Sequence, residues 1–143
     1  MKKTTKAPWM PASDYGRGLP THSINLLVRD VQLSIFFYEH IVGAKVIYSD
    51  QDFAAIKLKD TDFMLHADHT YENHPWITPL NSGTTRGLGV EIRVLGIDPD
   101  KIETQARKHS ATLIQEARDK PHGWREVMVA DPDGYIWAFG INI

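Results

Sequence analysis

An internal repeat constrains the fold of this chain more than any other sequence feature. In residues 24–28 the first, third and fifth side chains are apolar and would share one face of a β-strand. The same alternation returns 66 positions further on, in residues 90–94. We therefore interpret the chain as two structural repeats.

The first repeat continues from its strand into a helix and three further strands. Asp30 is placed to cap a helix over residues 31–41, and Gly43 is placed to end it. Strand-like runs follow at residues 45–49, 53–59 and 61–67. The predicted order of elements is therefore βαβββ.

The second repeat has the same order of elements. Asp98 and Pro99 fit the cap and the first position of a helix that runs to about His109. Strands are predicted at residues 112–117, 125–130 and 135–141, with a tight turn at 131–134 between the last two.

These patterns predict an α+β fold in which two βαβββ modules form a curved mixed sheet around a cleft. Module 1 covers about residues 22–67, a linker covers 68–86, and module 2 covers about 87–143. Together they form one domain over residues 21–143. Residues 1–20 contain proline and glycine without an apolar period, which predicts an N-terminal arm on the surface.

Composition excludes several classes of protein. A formal net charge of -2 provides no basic field, so neither nucleic acid nor a membrane surface is expected as a partner. The chain has no cysteine, which excludes disulfides, thiolate metal sites and a cysteine nucleophile. The start lacks the apolar run of about 7 to 15 residues that a signal peptide needs. We therefore expect a soluble, cytoplasmic protein.

The strand residues that do not face the helices are expected to line the cleft, where small molecules bind. Their polar side chains would contact a ligand, and aromatic rings in strands and loops would stack on a flat ligand. The predicted ligand-binding residues are Asn25, Phe53, Met64, His66, Trp76, Glu91, Arg93 and Trp124.

Two polar clusters leave alternatives open. Glu91 is either a general base, a contact for a cationic ligand, or half of an internal ion pair with Arg93. His66, His69 and His74 have a spacing that could hold a metal, but a strand that ends in a solvated loop explains them as well. We expect no metal there.

Four short segments point to a known family. Val-Arg-Asp at residues 28–30 is followed by Phe-Tyr at 37–38, and residues 121–126 lead into Asp-Pro-Asp-Gly at 131–134. Over about residues 22–141 the chain resembles the vicinal oxygen chelate superfamily. That superfamily contains glyoxalase I, extradiol dioxygenases, fosfomycin-resistance enzymes and bleomycin-resistance proteins, and paired βαβββ modules are its fold.

The resemblance also identifies where a metal would be held. Metal-dependent members use four His, Gln or Glu side chains, and the resemblance places those positions at Ser23, Met64, Gly89 and Ala138. None of these residues is a usual ligand for a divalent ion. We therefore expect no metal, no other cofactor and no catalytic residue of that kind.

Residues 52–55 and 63–67 resemble the bleomycin-binding members more narrowly. This resemblance implies a homodimer that binds a planar or glycopeptide-like small molecule, such as a drug, between aromatic walls without a metal, as in antibiotic sequestration. The alternative is an enzyme of the same superfamily, a lyase, isomerase or dioxygenase-like protein. It would use a divalent metal at His66 and His69, or Glu91 as the base.

Overall fold

The computed structural model describes residues 1–143, which form two compact units. The first unit comprises Met1–Glu39 and Gly43–Thr84, and the second comprises His40–Val42 and Thr85–Ile143. Each unit has its own four-stranded sheet.

The first unit contains three α-helices and four strands. In chain order they are α1 (Ala12–Gly18), β1 (Ile24–Val28), α2 (Val31–Phe37), β2 (Lys45–Ser49), β3 (Phe53–Leu58), β4 (Thr61–Ala67) and α3 (Ile77–Asn81). The strand order is β1-β4-β3-β2. Strand β1 runs parallel to β4, whereas the other two pairs are antiparallel, so the sheet is mixed.

Local side-chain chemistry sets the ends of the helix that covers this sheet. The Asp30 carboxylate accepts hydrogen bonds from the backbone N–H groups of Gln32 and Leu33, which caps α2. After α2 the chain makes a π-helical turn over Tyr38–Val42. This turn ends at Gly43, whose φ of 76° is left-handed. The predicted helix therefore has nearly the expected extent, but its last turn is wider than an α-helical turn.

The core of the first unit lies between α2 and one face of the sheet. Alternate residues of β4 are buried there, as are the last three residues of β1, Leu26–Val28. The ring of Tyr38 meets the ring of Phe63 edge-on, with centroids 5.0 Å apart. The opposite face of β4 carries Met64 and His66, which are half-buried. The main buried apolar side chains are Leu26, Val28, Ile35, Phe37, Phe63 and Leu65.

The second unit repeats the arrangement with one helix and four strands. Its elements are β5 (Glu91–Leu95), α4 (Pro99–Lys108), β6 (Thr112–Asp119), β7 (Trp124–Ala130) and β8 (Ile136–Asn142). The strand order is β5-β8-β7-β6, and β5 runs parallel to β8. The Asp98 side chain caps α4, and Pro99 occupies its first turn as predicted.

The α+β prediction with two βαβββ repeats is confirmed, with three differences. The eight strands form two separate sheets. The predicted arm at residues 1–20 contains helix α1 and belongs to the first unit. The predicted linker at residues 68–86 holds a 3-10 turn over Asp68–Tyr71 and the helix α3. Such short helices are stabilised by tertiary packing more than by intrinsic helix propensity, so they cannot be predicted from the local sequence.

None of the helices has the length and apolarity that a membrane span requires.

Candidate functional site

The first unit holds a cavity of about 980 Å³. Residues of the N-terminal arm form part of its wall, and β2, β3, β4 and the turn after β4 form the rest. Most of its large side chains are aromatic. They are Trp9, Tyr15, Tyr48, Phe53 and Tyr71, with Met64 and His66 on β4 beside them.

Trp9 connects the arm to the sheet. It stands between two prolines in Pro8-Trp9-Met10-Pro11, whose rings restrict the backbone on either side of a bend at Trp9 and Met10. Its ring stacks on Tyr48, with centroids 4.7 Å apart and planes 21° apart, and lies 6.2 Å from the ring of Phe53. The arm is therefore a wall of the cavity.

A single buried carboxylate anchors the arm just before Trp9. Asp52 accepts hydrogen bonds from the backbone N–H of Lys3 at 2.9 Å and of Thr4 at 2.9 Å, and its Oδ1 lies 2.5 Å from Nε2 of His69. Burial alone would raise the pKa of Asp52, but these hydrogen bonds together lower it below its usual value. Asp52 thus stays ionised and holds the arm to the sheet.

A hydrogen-bonded chain of three side chains supplies the polar part of the wall. Asn25 on β1 donates from Nδ2 to the Tyr71 hydroxyl at 2.7 Å, and its Oδ1 lies 2.6 Å from Nδ1 of His66. The parallel pairing of β1 with β4 brings Asn25 and His66 to the same face of the sheet. Burial lowers the pKa of His66, so its imidazole is neutral near pH 7.

Trp76 does not line this cavity, although we predicted it as a ligand contact. It immediately precedes helix α3 and is 55% exposed. Its backbone N–H donates to Nδ1 of His74, whose ring does line the cavity. The Trp76 ring also packs edge-on against the His74 ring, with centroids 4.7 Å apart, so Trp76 lies behind a wall residue and outside the cavity.

The second unit carries a separate charged cluster around Arg93. The guanidinium donates to Glu91 at 2.6 Å and to Glu126 at 2.6 Å. The hydrogen bond to Glu91, together with that to Glu126, raises the pKa of Arg93. The predicted ion pair of Glu91 and Arg93 is therefore present, and Glu126 is its buried third member.

Trp124 covers one side of this cluster. The Arg93 guanidinium lies 4.7 Å from the ring centre of Trp124. Trp124 also lies against Gly140 on β8, where an added Cβ would be 2.9 Å from the ring. The absence of a side chain at position 140 therefore leaves room for the Trp124 ring.

The residues present do not fit the divalent metal that the family resemblance implies. Ser23 lies just before β1, Met64 offers a thioether, and Gly89 and Ala138 have no donor side chain. The structure gathers no group of three or more His, Asp or Glu side chains that could hold an ion. His69 contacts Asp52, whereas His66 contacts Asn25.

The structure thus brings together part of the predicted set. Phe53, Met64 and His66 line the cavity of the first unit, with Asn25 bonded behind His66. The predicted residues of the second unit, Glu91, Arg93 and Trp124, form the charged cluster. Trp9 is not among the predicted ligand-binding residues, although an apolar pair between two prolines in a polar arm is a usable signal.

Comparison with known families identifies one match. The family model described as Glyoxalase/Bleomycin resistance protein/Dioxygenase superfamily matches residues 21–139. No curated protein matches the sequence significantly. The narrower resemblance to bleomycin-binding members stays a prediction, as do the homodimer and the cytoplasmic location.

Three solved structures illustrate the fold that the chain shares. A glyoxalase/bleomycin resistance protein/dioxygenase family enzyme from Burkholderia phytofirmans PsJN has a TM-score of 0.69 and 18% identity, over 85% of this chain and 97% of that one. A protein of unknown function from Agrobacterium tumefaciens has a TM-score of 0.69 and 22% identity, over 88% of this chain and 96% of that one. A glyoxalase-related enzyme from Fulvimarina pelagi has a TM-score of 0.65 and 17% identity, over 86% of this chain and 88% of that one. At these identities the likeness establishes the fold alone.

Proposed function

Because the chain belongs to the glyoxalase/bleomycin resistance protein/dioxygenase superfamily, we propose that it binds a planar small molecule in the aromatic cavity of its first unit and releases it unchanged. The observation that carries this proposal is the cavity itself. Its lining includes Trp9 stacked on Tyr48, together with the rings of Phe53 and His66. Antibiotic sequestration is the use that such binding would serve.

Size and lining support the proposal. A volume of about 980 Å³ is at the upper end of the range, roughly 300–1,000 Å³, for pockets that hold drug-sized molecules. Each aromatic ring that stacks on a flat ligand contributes about 0.5–1.5 kcal/mol beyond the burial of its area. Several rings that stack on the same ligand together increase its binding affinity without any covalent step.

Charge at the cavity favours a cationic ligand. Three carboxylates, those of Asp50, Asp52 and Glu72, line it against two cations, Lys2 and the Met1 ammonium, which lies 3.0 Å from Glu72. Asp50 already accepts hydrogen bonds from the Tyr48 hydroxyl at 2.6 Å and from the backbone N–H of Asp52 at 2.7 Å. These carboxylates therefore attract a cation through space and are held in place by the protein.

The polar groups of the second unit support binding over turnover. The carboxylate of Glu91, the base in the alternative enzyme mechanism, accepts a hydrogen bond from Arg93. Glu91 and Arg93 thus have the geometry of a structural ion pair, which favours a structural role for Glu91 over that of a base.

Titration with bleomycin, followed by tryptophan fluorescence, tests the proposal. We expect saturable quenching in the wild type, loss of that quenching in Trp9→Phe, and its retention in Trp76→Phe, because only Trp9 lines the cavity. Drug recovered from the complex should have an unchanged mass. A drug of altered mass, or stoichiometric zinc, nickel or iron that disappears in His66→Ala, would favour the enzyme alternative. Quenching that does not saturate would contradict binding of this drug.

A further inference from the structure

The hydrogen-bonded chain of Tyr71, Asn25 and His66 has a fixed direction. An amide has one acceptor end and one donor end. Asn25 places the donor end on the Tyr71 oxygen and the acceptor end on Nδ1 of His66. The polarity of both neighbours follows from the orientation of this one amide.

The direction determines which nitrogen of His66 carries the hydrogen. Because Oδ1 of Asn25 is an acceptor, Nδ1 of His66 must donate to it, and in a neutral imidazole Nε2 then has a lone pair. Burial lowers the pKa of His66, which keeps the ring in this neutral form. Since Nδ1 is engaged by Asn25, the ring of His66 has an acceptor left for the cavity that it lines.

The same direction leaves a donor on Tyr71. Its oxygen accepts the hydrogen bond from Asn25, so its own O–H is free to donate toward the cavity that Tyr71 lines. The rings of His66 and Tyr71 have centroids 5.5 Å apart. An acceptor and a donor therefore lie side by side on one wall.

We propose that this wall selects flat ligands whose edge carries an N–H or O–H donor next to a carbonyl oxygen, as in a lactam ring. The ligand donor would bond to Nε2 of His66, and the carbonyl would accept from the Tyr71 hydroxyl. Phe53, whose ring centre is 4.9 Å from that of His66, would stack on the ring that bears this edge. The inference rests on the proposed function, because it specifies the chemistry of a molecule bound in the same cavity.

Three probes of similar size separate the polar selection from simple aromatic binding. They are 2-quinolone, which has both groups, N-methyl-2-quinolone, which lacks the donor, and 1-methylnaphthalene, which lacks both. We expect the full chain to bind 2-quinolone at least tenfold more tightly than its N-methyl derivative, because a buried acceptor without a partner is costly. Calorimetric titration measures all three.

Two conservative variants test the direction of the hydrogen bonds that link Tyr71, Asn25 and His66. In Asn25→Asp both carboxylate oxygens are acceptors, so Tyr71 turns its proton toward residue 25, while Nδ1 of His66 still donates there. Both quinolones should then bind about tenfold more weakly, because the ligand carbonyl loses its donor, and 1-methylnaphthalene should be unaffected. Tyr71→Phe should weaken both quinolones about tenfold and leave 1-methylnaphthalene unchanged. Circular dichroism confirms that each variant is folded.

The outcomes distinguish this inference from the proposed function. Equal binding of all three probes by the wild type would overturn the selection and leave cavity binding intact. Binding of the two quinolones by Asn25→Asp as tightly as by the wild type would also overturn the selection, since the direction of the amide would then be irrelevant. No binding of any aromatic probe would overturn both.

Discussion

Arg93 and Glu126 are joined by a hydrogen bond of 2.6 Å between two strands of the second unit, and only the arginine has access to water. The Glu126 side chain is fully buried, whereas the Arg93 side chain is 37% exposed. One oxygen of Glu126, Oε1, has no hydrogen-bond partner, so the carboxylate depends on Arg93 and on His122, which lies 3.3 Å from Oε2. A buried charge with so few partners is sensitive to the loss of any one of them.

Replacing Arg93 by methionine should therefore destabilise the protein by about 3 kcal/mol, because it leaves the Glu126 charge buried without its main counter-charge. Urea unfolding at pH 7 measures the change. The double variant Arg93→Met with Glu126→Met should be more stable than Arg93→Met alone, since both charges are gone. An equal loss in the two variants would show that Arg93 acts through packing on Trp124.

Trp9 is expected to contribute to both stability and binding. In Trp9→Ala the stacking on Tyr48 is lost, which should cost about 1 kcal/mol of unfolding free energy and weaken a bound aromatic ligand about tenfold. The matched control is Trp76→Ala, because Trp76 is exposed and lies outside the cavity. A similar loss of affinity in both variants would mean that the arm does not form the wall.

The pH dependence of stability should identify Asp52 as the anchor of the arm. Folding lowers the pKa of Asp52 below its unfolded value near 3.8, so its contribution is present above that pH and is lost as the pH falls through the folded value. Asp52→Asn should therefore lower the unfolding free energy at pH 7 by about 2 kcal/mol and flatten the acid side of the stability curve.

The control for this experiment is Asp60→Asn, since Asp60 is exposed. It should leave the curve close to that of the wild type. Acid curves of equal steepness for the wild type and Asp52→Asn would refute the role of Asp52.

Gly140 is expected to tolerate no side chain. Its added Cβ would lie 2.7 Å from the backbone oxygen of Arg125 and 2.9 Å from the Trp124 ring, so Gly140→Ala should destabilise the protein by about 1–3 kcal/mol. The control is Gly18→Ala in α1, where nothing lies within 4 Å of the new Cβ. Thermal unfolding compares the two, and equal melting temperatures would contradict the close packing of Trp124.

Much of the fold could be predicted because its signals are local. Helix α4 was predicted to within about one residue, since Asp98 and Pro99 act on backbone groups one to three positions away. The strands were predicted from their alternation, which burial against a helix imposes directly. Such features need no knowledge of distant partners.

The cavity could not be predicted in the same way. Trp9 is a wall residue only because the chain folds back onto Tyr48 and Phe53, which are far away in sequence. Glu126 was overlooked for the same reason, because it meets Arg93 across the sheet and not along the chain. Polar alternation placed His66 on the correct face of its strand, but the amide that sets its tautomer is contributed by another strand.

A crystal structure of the protein soaked with bleomycin tests whether the cavity of the first unit holds the intact drug. We expect density for the intact drug in the cavity of the first unit, with a flat ring against Phe53 and Trp9 and a polar group near His66. Density only at the Arg93 cluster of the second unit, or density for a chemically altered drug, would contradict binding without turnover in this cavity.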